Sequence, residues 1–170
     1  MIVATLGTNE QPFDRLVRAI AQLDPAEPML VQYGSSQEPH GHGDWVDFLP
    51  FEELAEHMRA ARVVICHAGV GSIMLARRCG KRPIVVPRRL HLGEAVDDHQ
   101  LGVARRLHAA GFVTLLEDER ELPHAVLQAD GRAGSAAAVE LPGASALAVD
   151  LRSHLDALGA RRRQPAAASG

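Results

Sequence analysis

An open α/β sandwich, a Rossmann-like parallel sheet with helices on both faces, is what this sequence predicts. Three observations carry the expectation. Short apolar, β-branched runs alternate with helical patterns along the chain. Most of those runs are continuously apolar rather than alternating, as in strands covered on both faces. Most of them also end at a glycine or a polar loop.

Ile2–Leu6 reads as a buried strand ending at Gly7, and Thr8–Pro12 as a polar loop. Phe13, Leu16, Val17, Ile20 and Leu23 recur at helical spacing until Asp24-Pro25 closes the segment. Met29–Tyr33 is a second buried strand, broken by Gly34, and residues 35–44 are a polar loop. Trp45–Leu49 reads as a short strand and Phe51–Ala61 as a helix. Val63–Cys66 is a strand, Gly69–Ser72 a tight turn, and Ile73–Cys79 a helix ended by Gly80. Ile84–Val86 is a strand stopped by Pro87. Ala95–Ala110 is a helix, Phe112–Leu116 the last strand and Leu122–Ala129 a shorter helix. The domain is expected over residues 1–130, followed by a flexible linker at 131–143, a helix at 144–158 and a disordered tail at 159–170.

Composition narrows the function classes. The chain has 170 residues, 46% of them hydrophobic, enough for one domain with a real core. A formal net charge of −3 gives no reason to expect a nucleic-acid partner. Two cysteines, Cys66 and Cys79, have no metal-ligand spacing and read as reduced thiols; no metal site is expected. No segment has the length of a membrane span, and the first residues lack a signal peptide's basic flank and long apolar run, so a soluble, cytoplasmic protein is expected.

In open α/β sheets ligands sit beyond the carboxyl ends of the strands, which selects loops 7–12, 34–44, 67–72 and 87–100. The most specific local pattern is Val63–Ile73, in which a strand runs through His67-Ala68-Gly69-Val70-Gly71-Ser72 into a helix. Such a turn lets backbone approach a ligand and aims free N–H groups at it, and phosphate is the natural guest. Gly-x-Gly alone is equally a structural strand-to-helix turn, and Met74 stands where a dinucleotide motif has its third glycine. Ser72 either caps the helix or donates its hydroxyl to a ligand. His67 suits a sugar hydroxyl or phosphate, or a bond that locks the loop. The stretch Gly93–Gln100 gathers acid, amide and imidazole groups at an expected helix start; Asp and Gln read sugar hydroxyls well, although Asp97 equally fits ordinary helix-terminus acidity. Gly7, Thr8 and Asn9 offer close approach and hydrogen bonds, or simply a polar loop. No Gly-x-Ser-x-Gly elbow, P-loop or His-Glu-x-x-His occurs.

Taken in order, Thr5-Leu6-Gly7-Thr8-Asn9-Glu10-Gln11-Pro12-Phe13-Asp14-Arg15-Leu16, Cys66–Ile73 and Val96-Asp97-Asp98-His99-Gln100-Leu101 resemble the small donor-binding subunits of two-component exopolysaccharide glycosyltransferases, which are similar to the C-terminal domain of glycosyltransferase family 28. The resemblance covers roughly residues 1–116 and implies the C-terminal half of a GT-B fold. It implies a UDP-sugar whose diphosphate lies near Gly7, Thr8, Asn9, Gly69, Val70, Gly71 and Ser72, with His67, Asp98, His99 and Gln100 towards the sugar. It implies no cofactor and no metal, and it assigns no catalytic base. A membrane-associated partner subunit would bring a lipid-linked saccharide acceptor, placing the protein at the inner face of the membrane through that partner. The missing half implies an exposed apolar surface and self-association in isolation. Arg88 and Arg89 either add positive charge near the diphosphate or lie in a solvated loop or partner contact. Family members resembling the lipid-II enzyme hold the ribose with a glutamate where this chain has Leu75, and that departure supports a rival reading, a non-catalytic regulatory or scaffold subunit that has lost donor binding.

Overall fold

The structure, a computed structural model, describes residues 1–37, 41–97 and 99–129. The expected linker at 131–143, helix at 144–158 and tail at 159–170 lie outside the described residues. Six strands, β1 (Ile2–Thr5), β2 (Met29–Gln32), β3 (Asp44–Val46), β4 (Val63–His67), β5 (Ile84–Val86) and β6 (Thr114–Leu115), form one sheet in the order β3-β2-β1-β4-β5-β6. Every pairing is parallel. Parallel neighbours need long crossovers, and helices α1 (Asp14–Ala21), α2 (Phe51–Ala60), α3 (Val70–Arg78) and α4 (His99–Ala109) lie in those connections, with α5 (Leu122–Gln128) last.

Strand alternation explains the two layers. Ile2, Ala4 and Leu6 point to a core shared with Leu16, Val17 and Ile20 of α1 and with Leu122 and Val126. Val3 and Val64 point the other way, to Leu54, Ala55 and Met58 of α2 and Leu75 and Ala76 of α3. Cys66 and Val85 continue that second face beneath Ile73, Ala104 and Leu107. Both sheet faces are therefore buried, as the continuous apolar runs require. Cys66 is fully buried, and that burial pushes its thiol up to about 12, so it is packing rather than chemistry.

Element boundaries depart from expectation where distant contacts intervene. Helix α3 begins at Val70, not Ile73: Gly69 is its N-cap and the Ile73 N–H bonds the Gly69 carbonyl at 3.1 Å. Ser72 is thus inside the first turn, and no side chain caps this helix. Helix α4 begins at His99, not Ala95. Ahead of it, Leu90–Leu92 makes one tight turn ended by Gly93 at φ 71°, and the Glu94 carboxylate is held by Arg15, which keeps the chain out of helix there. Strand β3 is Asp44–Val46 rather than 45–49, because the chain turns away from β2 once Gly34 N–H has bonded Asp47.

Candidate functional site

The strand order reverses between β1 and β4, since β1 leads towards β2 and β3 on one side and β4 towards β5 and β6 on the other. A crevice forms where neighbouring connections diverge in this way, outside the carboxyl ends of the strands. Thr5 is in register with Cys66, so the segments that continue from Leu6 and from His67, the last residue of β4, emerge side by side. The two glycine-bearing motifs, 61 residues apart by number (His67 minus Leu6), meet at this one point.

Between them lies the His67 ring. A methyl group built on Gly69 would stand 2.1 Å from His67 Nε2, and one built on Gly7 would stand 2.5 Å from its Cε1. The imidazole occupies space that only two absent side chains leave free. A third glycine interlocks with the first: a Cβ on Gly34 would lie 2.2 Å from the Gly7 carbonyl oxygen. Gly7 at φ 80° and Gly34 at φ 63° also adopt the left-handed backbone these tight junctions need. The expected close approach of a ligand at Gly7 and Gly69 is thus largely an approach of the protein to itself. Gly71 differs, for it is exposed and a Cβ there would meet nothing within 4 Å. The N–H groups of Val70, Gly71 and Ser72 precede the first rung of the helix ladder at this open place. α1 and α2 carry acidic residues in their first turns and α3 carries none, so its dipole there is uncompensated.

His67 is half-buried, with Nδ1 shielded and lacking a hydrogen-bond partner. Burial above all, and the Arg88 guanidinium next, push its pKa down to about 4 against a smaller opposing effect of the Thr5 backbone. The ring is neutral at physiological pH and fit to donate or accept one hydrogen bond.

The remaining expected residues divide. Thr8 and Asn9 are exposed on the crevice loop, and Asn9 Oδ1 accepts the Gln11 N–H at 3.3 Å, a local turn bond. Gln100 is the second residue of α4, with its Oε1 shielded and unpartnered. His99 opens α4 at the same sheet edge, and Asp98 lies outside the described residues.

Sequence reasoning did not foresee how the charged groups tie this edge together. Arg88, expected either to add positive charge near the diphosphate or to lie in a solvated loop or partner contact, is 2% exposed. Its Nη1 donates to the carbonyls of Gln11 (2.7 Å) and Glu94 (3.0 Å), its Nη2 to that of Leu6 (3.0 Å), and its guanidinium stacks 4.7 Å from the Phe13 ring. Arg15 grips Glu94 with two bonds of 3.0 and 2.9 Å and reaches Glu119 at 2.6 Å. Ser36 Oγ accepts the Phe13 N–H at 2.8 Å. The only local signals were a Pro-Arg pair at the end of an apolar strand and an acid six residues on, neither of which indicates burial.

Among the described residues no helix is long and apolar enough to cross a membrane, and no group of three or more His, Cys, Asp or Glu side chains is placed to hold a metal ion. The edge that carries the crevice also exposes Phe48, Phe51, Leu92 and Val96.

Comparison with known proteins agrees with the open parallel α/β fold. The family model for the glycosyltransferase family 28 C-terminal domain matches residues 1–138. The chain is also similar to the UDP-N-acetylglucosamine transferase subunit ALG13 of Yarrowia lipolytica, with 28% identity over 148 residues, covering 71% of this chain and 72% of that protein.

Proposed function

We propose, from the fact that this chain belongs to the glycosyltransferase family 28 C-terminal domains, that it is the donor-binding subunit of a glycosyltransferase. It holds a UDP-sugar at the crevice between β1 and β4, and a membrane-associated partner subunit holds the lipid-linked saccharide that receives the sugar. The observation that carries this reading is the open, acid-free N-terminus of α3 at Gly71, set at the point where the strand order reverses.

The diphosphate accepts hydrogen bonds from the Val70, Gly71 and Ser72 N–H groups, beside the loop of Gly7, Thr8 and Asn9. As the glycosidic bond breaks, negative charge grows on the β-phosphate, and amides already aimed at it stabilise that charge without reorganising. No metal ion is needed for this balance. Sugar recognition is assigned to His67, Asp98, His99 and Gln100; the shielded, unpartnered Oε1 of Gln100 supports that role for Gln100. The exposed Phe48, Phe51, Leu92 and Val96 on the same edge support a partner covering the crevice. The name of the similar yeast protein, a transferase subunit, supports an enzyme divided between chains. Exopolysaccharide synthesis and a cytoplasmic position at the inner membrane face complete the reading.

Calorimetric titration of uridine diphosphate and UDP-sugars into the isolated protein tests it. Binding of uridine nucleotides is expected, with transfer activity only once the partner is added. Indifference to all uridine nucleotides overturns it. One observation favours a second reading, a non-catalytic scaffold subunit: Leu75, where related enzymes hold the ribose, is buried in the core with Val3 and Met58 and offers no contact. Partner binding without nucleotide binding would establish that alternative.

A further inference from the structure

We propose that Arg88 is a positioning residue of the crevice, a buried cation that bolts the β1–α1 loop to the β5–α4 loop and lends its positive charge to a bound diphosphate. The inference rests on the diphosphate reading above.

Three features separate Arg88 from an ordinary loop tie. Its bonds go to main-chain carbonyls of Leu6, Gln11, Pro12 and Glu94, which orient the guanidinium but do not cancel its charge. The carboxylate whose charge acts on it, Glu94, is shared with two bonds from Arg15 and with the Arg89 N–H at 3.0 Å, so it offsets Arg88 only in part. Finally, the Nε–H is buried with no partner. Burying a guanidinium carries a large desolvation cost, and a tie between two loops can be made by neutral groups. Its field also reaches the crevice: Arg88 is one of the two influences that lower the pKa of His67, and no carboxylate counters it there. Secondary to burial, the charge of Arg88 is thus felt at the ring wedged between Gly7 and Gly69, two residues from the Gly71 amide proposed for the diphosphate.

The effect grows with ligand charge, which a purely structural role does not predict. Uridine monophosphate and uridine diphosphate are the probes, with Arg88→Gln and Arg88→Lys as variants. The expected result is that Arg88→Gln weakens uridine diphosphate about tenfold or more and the monophosphate much less, while Arg88→Lys retains most of the discrimination. Equal loss for both nucleotides in Arg88→Gln overturns the charge role. Should Arg88→Gln not fold, Arg88→Lys alone decides: loss of discrimination with charge retained overturns the inference. A second readout needs no nucleotide. The NMR titration of His67 is expected to move up from its low value in Arg88→Gln and to stay low in Arg88→Lys; an unchanged value in Arg88→Gln overturns the field. If wild-type protein binds neither nucleotide, the donor reading fails while the His67 titration still judges Arg88.

Discussion

Replacing Gly69 by alanine tests the His67 wedge directly. The backbone at Gly69 has φ −75° and ψ 126°, comfortable for any L-residue, so the substitution brings no conformational strain. Its cost is steric. The new methyl would stand 2.1, 2.8 and 2.9 Å from Nε2, Cδ2 and Cε1 of His67. The ring has little room to withdraw, because it also fills the space where a side chain at Gly7 would stand. Overpacking of this kind costs about 1–3 kcal/mol, and the stiffer unfolded chain returns about 0.4–1 kcal/mol. Gly69→Ala is therefore expected to destabilise by up to about 2.6 kcal/mol. In a His67→Ala background the methyl meets no ring, and the same change becomes neutral or slightly stabilising. The coupling between the two sites is then about 1–3 kcal/mol. Urea unfolding of the four proteins, followed by the fluorescence of the single tryptophan, Trp45, measures it. Additive effects, with coupling below about 0.5 kcal/mol, would show that the ring does not sit between the glycines.

Gly71→Val should leave stability within about 1 kcal/mol of wild type, since the position is open, and yet abolish uridine diphosphate binding; retained affinity in calorimetry removes Gly71 from the site. Because the folded pKa of His67 is lowered to about 4 from an unfolded value near 6.5, its contribution is complete above pH 6.5, falls as the pH drops towards 4 and is flat below. That loss amounts to about 3 kcal/mol in pH-dependent unfolding, and His67→Asn should flatten the slope. Arg15→Met strands the Glu94 carboxylate, whose side chain is 7% exposed, and should cost about 3 kcal/mol by thermal or urea unfolding; a loss under about 1 kcal/mol would put the ion pair at ordinary surface value. Uridine diphosphate affinity should be the same with and without excess EDTA, and a drop in EDTA would replace the amide-only account of charge balance.

Much of this architecture is legible in the chain because burial on both faces leaves a plain mark. Ile2–Thr5, Met29–Gln32 and Ile84–Val86 are nearly all apolar, and each became a strand close to its expected bounds. The start of α3 was less legible. Gly71 and Ser72 read as turn residues because of their weak helix propensity, and the helix nonetheless includes them through the bond from Ile73 to Gly69. The start of α4 was hidden for another reason, since Glu94 is held by Arg15, 79 residues earlier. Arg88 is the extreme case. Its acceptors are main-chain oxygens up to 82 residues away, and a carbonyl leaves no trace in side-chain pattern. The convergence of Gly7 and Gly69 on one crevice follows from strand order, which a reading by local motif reaches only through the general rule for such sheets.

The interlock of Gly7, Gly34, Gly69 and the His67 imidazole has a consequence for how such a subunit would work. Three separate chain segments fit one another there before any guest arrives, so the ordering entropy of the rim is met during folding rather than at each binding event. A nucleotide would enter a seat already shaped. A partner chain would then govern which hydroxyl is presented and when, and would leave the grip on the leaving group as it stands.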